Sequence, residues 1–162
     1  MAISSSGSLM DIVQLLTPDR VIFGLRAADK TQLLQELTRR ASEYVNIPQK
    51  TILEGLLIRE KLGSTGLGQG FALPHARIEG LKAMFGMFVK LSRPISFEAI
   101  DGNPVDFVFL LLIPVASESD HVTALAAISR RIRDPDCAAR LRKVENAAAL
   151  YELLTSNDGK PC

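Results

Sequence analysis

Histidine is the side chain best suited to act as a nucleophile or proton carrier near neutral pH, and this sequence holds two, His75 and His121. His75 directly follows Pro74 in the run FALPHAR. Pro74 fixes its own φ, pushes Leu73 toward extended geometry and cannot donate to a sheet ladder. The pattern predicts a short strand over 71–73 that ends at His75, and strand ends are where open α/β sheets place their ligands. Upstream, KLGSTGLGQG concentrates glycines at Gly63, Gly66, Gly68 and Gly70. Such a loop lets backbone N–H groups approach a ligand closely, and the hydroxyls of Ser64 and Thr65 can donate to an anion. A plain turn between helix and strand fits the same residues. Arg59 offers a guanidinium for a phosphate, or simply closes its helix as a cation favoured by the dipole. His121 follows Ser117, Ser119 and Asp120 at the start of a predicted helix, where it sits beside a bound anion or serves as a polar first-turn residue.

Other chemistries fit poorly. The glycine run is no P-loop, because no Lys-Ser or Lys-Thr follows it, and no GxGxxG, because position 71 is Phe. A hydrolase elbow of the GxSxG kind is missing from the sequence. Two histidines without neighbouring cysteines make a poor zinc set. Cys137 and Cys162 form neither a disulfide framework nor a CxxC pattern, so a reducing cytoplasm is the simplest setting. Lys plus Arg number 19 against 18 Asp plus Glu, a net +1 that gives no reason to expect nucleic acid or an anionic membrane as partner. The basic cluster Arg130, Arg131, Arg133, Arg140, Arg142 and Lys143 reads as a solvated face.

The elements that must position these residues come from periodicity. The 162 residues suit one domain, and 47% hydrophobic with 23% charged residues is ordinary globular composition. Residues 1–8 read as a flexible lead-in, 9–156 as the folded domain and 157–162 as a tail. A helix is expected over 9–15 with Ser8 as cap, and a β-prone run at Val21, Ile22 and Phe23. From Asp29 a helix carries Leu33, Leu34, Leu37, Ala41 and Val45 on one face. Pro48 opens another, with Ile52, Leu53, Leu56 and Leu57 as its buried stripe and Gly63 as its stop. Strands are expected at 84–91 and 105–113, with a further short strand at 95–99. The second is apolar at nearly every position, as a central strand covered on both faces would be. A helix follows with Val122, Leu125, Ile128 and Ile132 on one side, then two short helices over 135–144 and 146–154. The run from Phe107 to Ala116 is half the length of a membrane-spanning helix, and Pro114 interrupts it. No basic-then-apolar leader opens the chain, so neither membrane insertion nor export is expected. The fold class is α/β: a single domain with a mixed sheet and helices on both faces.

The run REKLGSTGLGQGFALPHARIEG, followed by PISFEAIDGNPVDFVFLLLIP and then His121, resembles the enzyme IIA domains of the bacterial phosphoenolpyruvate-dependent phosphotransferase system. Within that fructose/mannitol-type superfamily it is most similar to the nitrogen-regulatory branch, over about residues 15–154. The resemblance implies that His75 accepts a phosphoryl group from a histidine-containing phosphocarrier protein. It implies that Arg59 and His121 assist, and that Ser64 and Thr65 lie in the phosphate-binding loop. Ala76 stands where many family members carry glycine. No metal or organic cofactor is implied, since the carrier delivers an activated group. Nitrogen-regulatory members imply sensor kinases or ion transporters as regulatory partners. The alternatives are a sugar-specific enzyme IIA that passes phosphate to a permease B domain, or a binding module indifferent to phosphorylation.

Overall fold

The computed structural model describes residues 12–117 and 120–156. The expected lead-in, the Ser8 cap and the C-terminal tail lie outside these residues. A first helical turn, α1 (Ile12–Leu15), and a 3-10 turn (Pro18–Arg20) lead into β1 (Val21–Leu25). Helices α2 (Lys30–Val45) and α3 (Gln49–Lys61) follow. Asp29 caps α2 by accepting a hydrogen bond from Gln32 N at 2.8 Å, and Asn46 closes it in the left-handed region at φ 59°. Strands β2 (Gly66–Gly68), β3 (Phe71–Ala72) and β4 (His75–Ile78) come next, then the long strands β5 (Phe85–Ile95) and β6 (Val105–Pro114). Helices α4 (Asp120–Arg133), α5 (Pro135–Leu141) and α6 (Ala147–Thr155) complete the described chain.

The sheet is six-stranded, in the order β1-β5-β6-β3-β2, with β4 also paired to β6. It is mixed: β1 runs parallel to β5, β3 and β4 run parallel to β6, and the other pairs are antiparallel. Strand β6 is central, and alternation splits its side chains between two cores. Val108, Leu110 and Leu112 pack under α2 and α3, whereas Phe107, Phe109, Leu111 and Ile113 pack under α1, α4, α5 and α6. In the second core Phe71 and Phe88 stack on Phe107 with centroids 5.0 and 5.7 Å apart. This is the expected α/β architecture, with helices on both faces.

Several local expectations change. His75 does not end a strand; it begins β4. Phe71 pairs with Phe107 and His75 with Leu111 in one register, so β3 and β4 are a single line along β6, interrupted at Leu73-Pro74. The ladder bridges the gap because Leu111 N donates to the Pro74 carbonyl at 3.0 Å. The expected strand at 95–99 contributes only Ile95, as the end of β5. Leu57 is 40% exposed and Val122 is 59% exposed, so neither belongs to a buried stripe. The basic cluster is not wholly solvated. Arg142 donates to Asp106 Oδ2 at 2.6 Å and to the Gln69 carbonyl at 2.8 Å, with its guanidinium over Phe71 and Phe107. Cys137 is fully buried in α5. Among the described residues no helix is long and apolar enough to cross a membrane.

One close approach sets the geometry of the functional region. Gly55 sits where α3 crosses β4, and a Cβ there would lie 3.0 Å from Ile78 Cδ1 and 3.5 Å from Ala76 Cβ. Gly55→Leu should therefore overpack the helix against β4 and cost about 1–3 kcal/mol in urea unfolding. Gly55→Ala should stay within about 1 kcal/mol of the parent, because its helix propensity gain of about 1 kcal/mol offsets a contact with a flexible Ile78 tip.

Candidate functional site

Strand β4 is where the two helical layers meet at an uncovered part of the sheet, since β2 pairs with β3 and not with β4. Along β4, Ala76 and Ile78 turn into the core under α3, and His75 and Arg77 turn to the other side. Arg59 lies one helical turn beyond Gly55, so the tight crossing at Gly55 carries it to His75. His121, in the first turn of α4, approaches from the opposite layer. Arg59, His75, Arg77 and His121 line one open cavity of about 550 Å³, with Ile58 and Val122 on its wall. Ile58 is 65% exposed and Val122 59% exposed, giving the cavity an apolar rim.

The His75 ring is held in one tautomer. Nδ1 lies 2.8 Å from the Leu73 carbonyl, which can only accept, so Nδ1 carries the proton. Pro74 makes this two-residue return possible by locking its φ. The lone pair is then on Nε2, where Arg59 Nε donates to it at 3.3 Å. Arg59 Nη1 is anchored on the Gly63 carbonyl at 2.9 Å. Burial holds the His75 pKa below the usual 6.5; the Leu73 carbonyl works against that, Arg59 adds to it, Glu60 opposes it and His121 adds to it. The ring is thus kept neutral, with a directed nucleophilic nitrogen facing a guanidinium.

The glycine segment is an ordered ladder and no slack turn. Ser64 Oγ donates to the Phe97 carbonyl at 2.7 Å and accepts from Gly66 N at 3.1 Å. Thr65 is buried, and its hydroxyl donates to Glu60 Oε2 while its N–H donates to Glu60 Oε1 at 3.2 Å. Glu60 also pairs with Lys30 Nζ at 2.9 Å, with only 6% of its side chain exposed. Thr65 O accepts from Leu73 N at 2.9 Å, which ties this network to the residue whose carbonyl holds His75. Gly66 is required sterically, because a Cβ there would lie 2.8 Å from Ala99 Cα. Of the residues singled out from sequence, Arg59, His75 and His121 converge on the cavity. Ser64 and Thr65 direct their hydroxyls into the loop and away from the cavity.

Arg77 is the site residue that sequence reasoning misses. Its Nη1 donates to the Val115 carbonyl at 3.2 Å, and Nη2 lies 3.3 and 3.4 Å from the two ring nitrogens of His121. A signal exists, since residues two apart on a strand share a face and His75 and Arg77 have that spacing. Reading residue 75 as the end of a strand hides it.

The fold is a mixed sheet clad on both faces, with a tautomer-fixed histidine beside the Arg59 guanidinium in an open cavity that Arg77 and His121 also line. The chain belongs to the phosphoenolpyruvate-dependent sugar phosphotransferase system EIIA 2 family, whose pattern matches residues 14–157. It is 45% identical over 145 residues to a nitrogen regulatory protein of Bradyrhizobium diazoefficiens, covering 90% of this chain and 95% of the relative. It is 37% identical over 134 residues to the nitrogen regulatory protein of Escherichia coli, covering 82% of each. The crystal structure of nitrogen regulatory protein IIA-Ntr from Neisseria meningitidis superposes with a TM-score of 0.84 at 31% identity, over 89% of this chain and 99% of that one.

Two consequences can be measured. In an NMR titration the His75 ring should protonate with a midpoint below 6.5, since its folded pKa is lowered. The unfolded ring binds its proton near 6.5, so stability should be complete above that pH and decline as pH falls toward the folded midpoint. An unshifted or raised midpoint contradicts the site as described. Glu60→Ala should cost about 1.5–3 kcal/mol in chemical unfolding, because Lys30 and both Thr65 donors lose a buried charged acceptor.

Proposed function

We propose that this chain is a phosphohistidine carrier of the nitrogen-regulatory type, taking a phosphoryl group on Nε2 of His75 from a histidine-containing phosphocarrier protein. The observation that carries the reading is the fixed Nδ1–H···O=C bond to Leu73, which puts the ring's lone pair on Nε2, facing an open, cationic cavity. In the transfer, Nε2 forms a bond to phosphorus as the donor's P–N bond breaks. The donor ring leaves as neutral imidazole with the electron pair of that bond. His75 keeps its Nδ1 proton and becomes a phosphoimidazolium. Phosphoryl transfer asks mainly for in-line positioning and charge stabilisation, which Arg59 and His121 supply at the cavity wall. Ser64 and Thr65 contribute by holding the loop, and through it Leu73, in place.

The apolar rim around the cavity suits a protein donor, since exposed apolar patches with polar centres are typical docking faces. Phosphorylation adds about −1.5 to −2 charge to that face, so partners read by the same surface must distinguish the two forms. Sensor kinases and ion transporters are the regulatory partners this reading favours, and the cytoplasm, where phosphoenolpyruvate is produced, is the compartment.

Incubation with a phosphoenolpyruvate-charged phosphocarrier, followed by mass spectrometry under alkaline conditions, should place one base-stable phosphoryl group on His75. His75→Ala should abolish it without loss of fold. Arg59→Ala should slow transfer roughly 10- to 150-fold, the kinetic equivalent of a charge-assisted contact of about 1.5–3 kcal/mol. Undiminished labelling of His75→Ala overturns the reading. Onward transfer to a sugar permease B domain would establish the transport role in place of the regulatory one.

A further inference from the structure

We propose that Arg77 is a second phosphoryl-binding guanidinium, closing on the phosphoryl group from the side opposite Arg59; this rests on phosphorylation of His75. The first support is direction. His75 and Arg77 project from the same side of β4, about 7 Å apart along the strand, a distance an arginine side chain spans. Both line the same cavity, Arg59 reaching it from α3 and Arg77 from the side of α4.

The second support is how loosely Arg77 is held. Its Nη2 is almost equidistant from Nδ1 and Nε2 of His121, at 3.3 and 3.4 Å. A neutral imidazole has one acceptor nitrogen, so a donor placed equally against both lies across the ring and not on a lone pair. Both distances also exceed the usual range of about 2.7–3.2 Å for an N–H donor. Only Nη1 is fixed, by the Val115 carbonyl. Among the described residues no carboxylate pairs with Arg77. The side chain is exposed, so packing does not explain it. It is a cation anchored at one end with its remaining donors turned toward the cavity.

The third support is need. Arg59 approaches from the α3 side only and keeps Nη1 on the Gly63 carbonyl, so its remaining donors reach one side of a group that carries three phosphoryl oxygens. Once Nε2 bears phosphorus, the Arg59–Nε2 hydrogen bond is lost and a dianionic group stands between the two guanidiniums. Arg77 Nη2 then leaves His121 for a phosphoryl oxygen, a stronger charge-assisted partner than a ring face. His121 is released by the same movement.

The test uses the whole chain phosphorylated in two ways: by the charged phosphocarrier, and by phosphoramidate, whose P–N bond breaks with loss of ammonia as Nε2 bonds to phosphorus. The readout is the titration of the phosphoryl resonance by phosphorus NMR. A nearby cation lowers a phosphate pKa, so Arg77→Ala should raise the midpoint by at least about half a unit, with partial recovery in Arg77→Lys. Thermal unfolding of both variants should match the parent, which separates a contact from a structural role. A midpoint in Arg77→Ala equal to that of the parent overturns the assignment. Failure of the phosphocarrier to label the parent, with the phosphoramidate-labelled midpoints still shifted, overturns the carrier reading and leaves Arg77 assigned. No phosphoryl group on His75 from either donor overturns both.

Discussion

The hydrogen bond from His75 Nδ1 to the Leu73 carbonyl is the constraint on which the rest of the site depends. An imidazole has two chemically similar nitrogens, and free rotation or tautomer exchange would divide its reactivity between them. A single carbonyl, which has no proton to give, removes that choice. The carbonyl is itself well placed. Pro74 lacks the donor that a continuous ladder needs at its position, yet its own carbonyl still accepts from Leu111, so the line of β3 and β4 survives the interruption. Leu73 N is held by Thr65 O, and Thr65 by Glu60, which is paired with Lys30 on α2. A chain of polar contacts therefore runs from the helical layer to one ring nitrogen.

Charge balance at the site follows from which groups are spent elsewhere. Glu60 is adjacent to Arg59 in sequence, but points into the loop and satisfies Lys30 and Thr65. Arg59 is thereby left with a backbone carbonyl and a neutral ring as its partners. Guanidiniums that bind only neutral acceptors retain most of their attraction for an incoming anion, whereas an ion-paired one must first give up a carboxylate. The same economy holds for Arg77. With burial also disfavouring a charged imidazole, the cavity is cationic at its walls and neutral at its nucleophile, a combination suited to attack on a negatively charged phosphoryl donor.

The packing that brings these groups together is tight in one place and open in another. Gly55 lets α3 lie directly on Ala76 and Ile78, whose side chains turn to the buried side of β4. On the outer side, Ile58, Leu62 and Val122 remain largely exposed. Ile58 and Val122 put exposed apolar surface on the wall of the cavity that holds His75.

Periodicity and special residues determined much from the sequence alone. The buried faces of α2 and α4, the two-sided central strand β6, and the prominence of His75 beside Pro74 and the glycine run all follow from local patterns. These features are legible because each depends on near neighbours: apolar spacing, a locked φ, a missing N–H. The family's characteristic runs added Arg59, His121 and the loop residues. What only the tertiary structure decided depends on contacts between distant segments. Leu57 and Val122 fit their helical stripes, yet both stand exposed in the fold. Ser64 and Thr65 have hydroxyls suited to an anion, but Phe97 and Glu60 claim them first. Arg77 is an ordinary exposed cation by its sequence, and only the pairing of β4 with β6 sets it on the same face as His75, across from His121. A side chain's type is written in the sequence, but its partner is chosen by whichever distant group the fold places within reach.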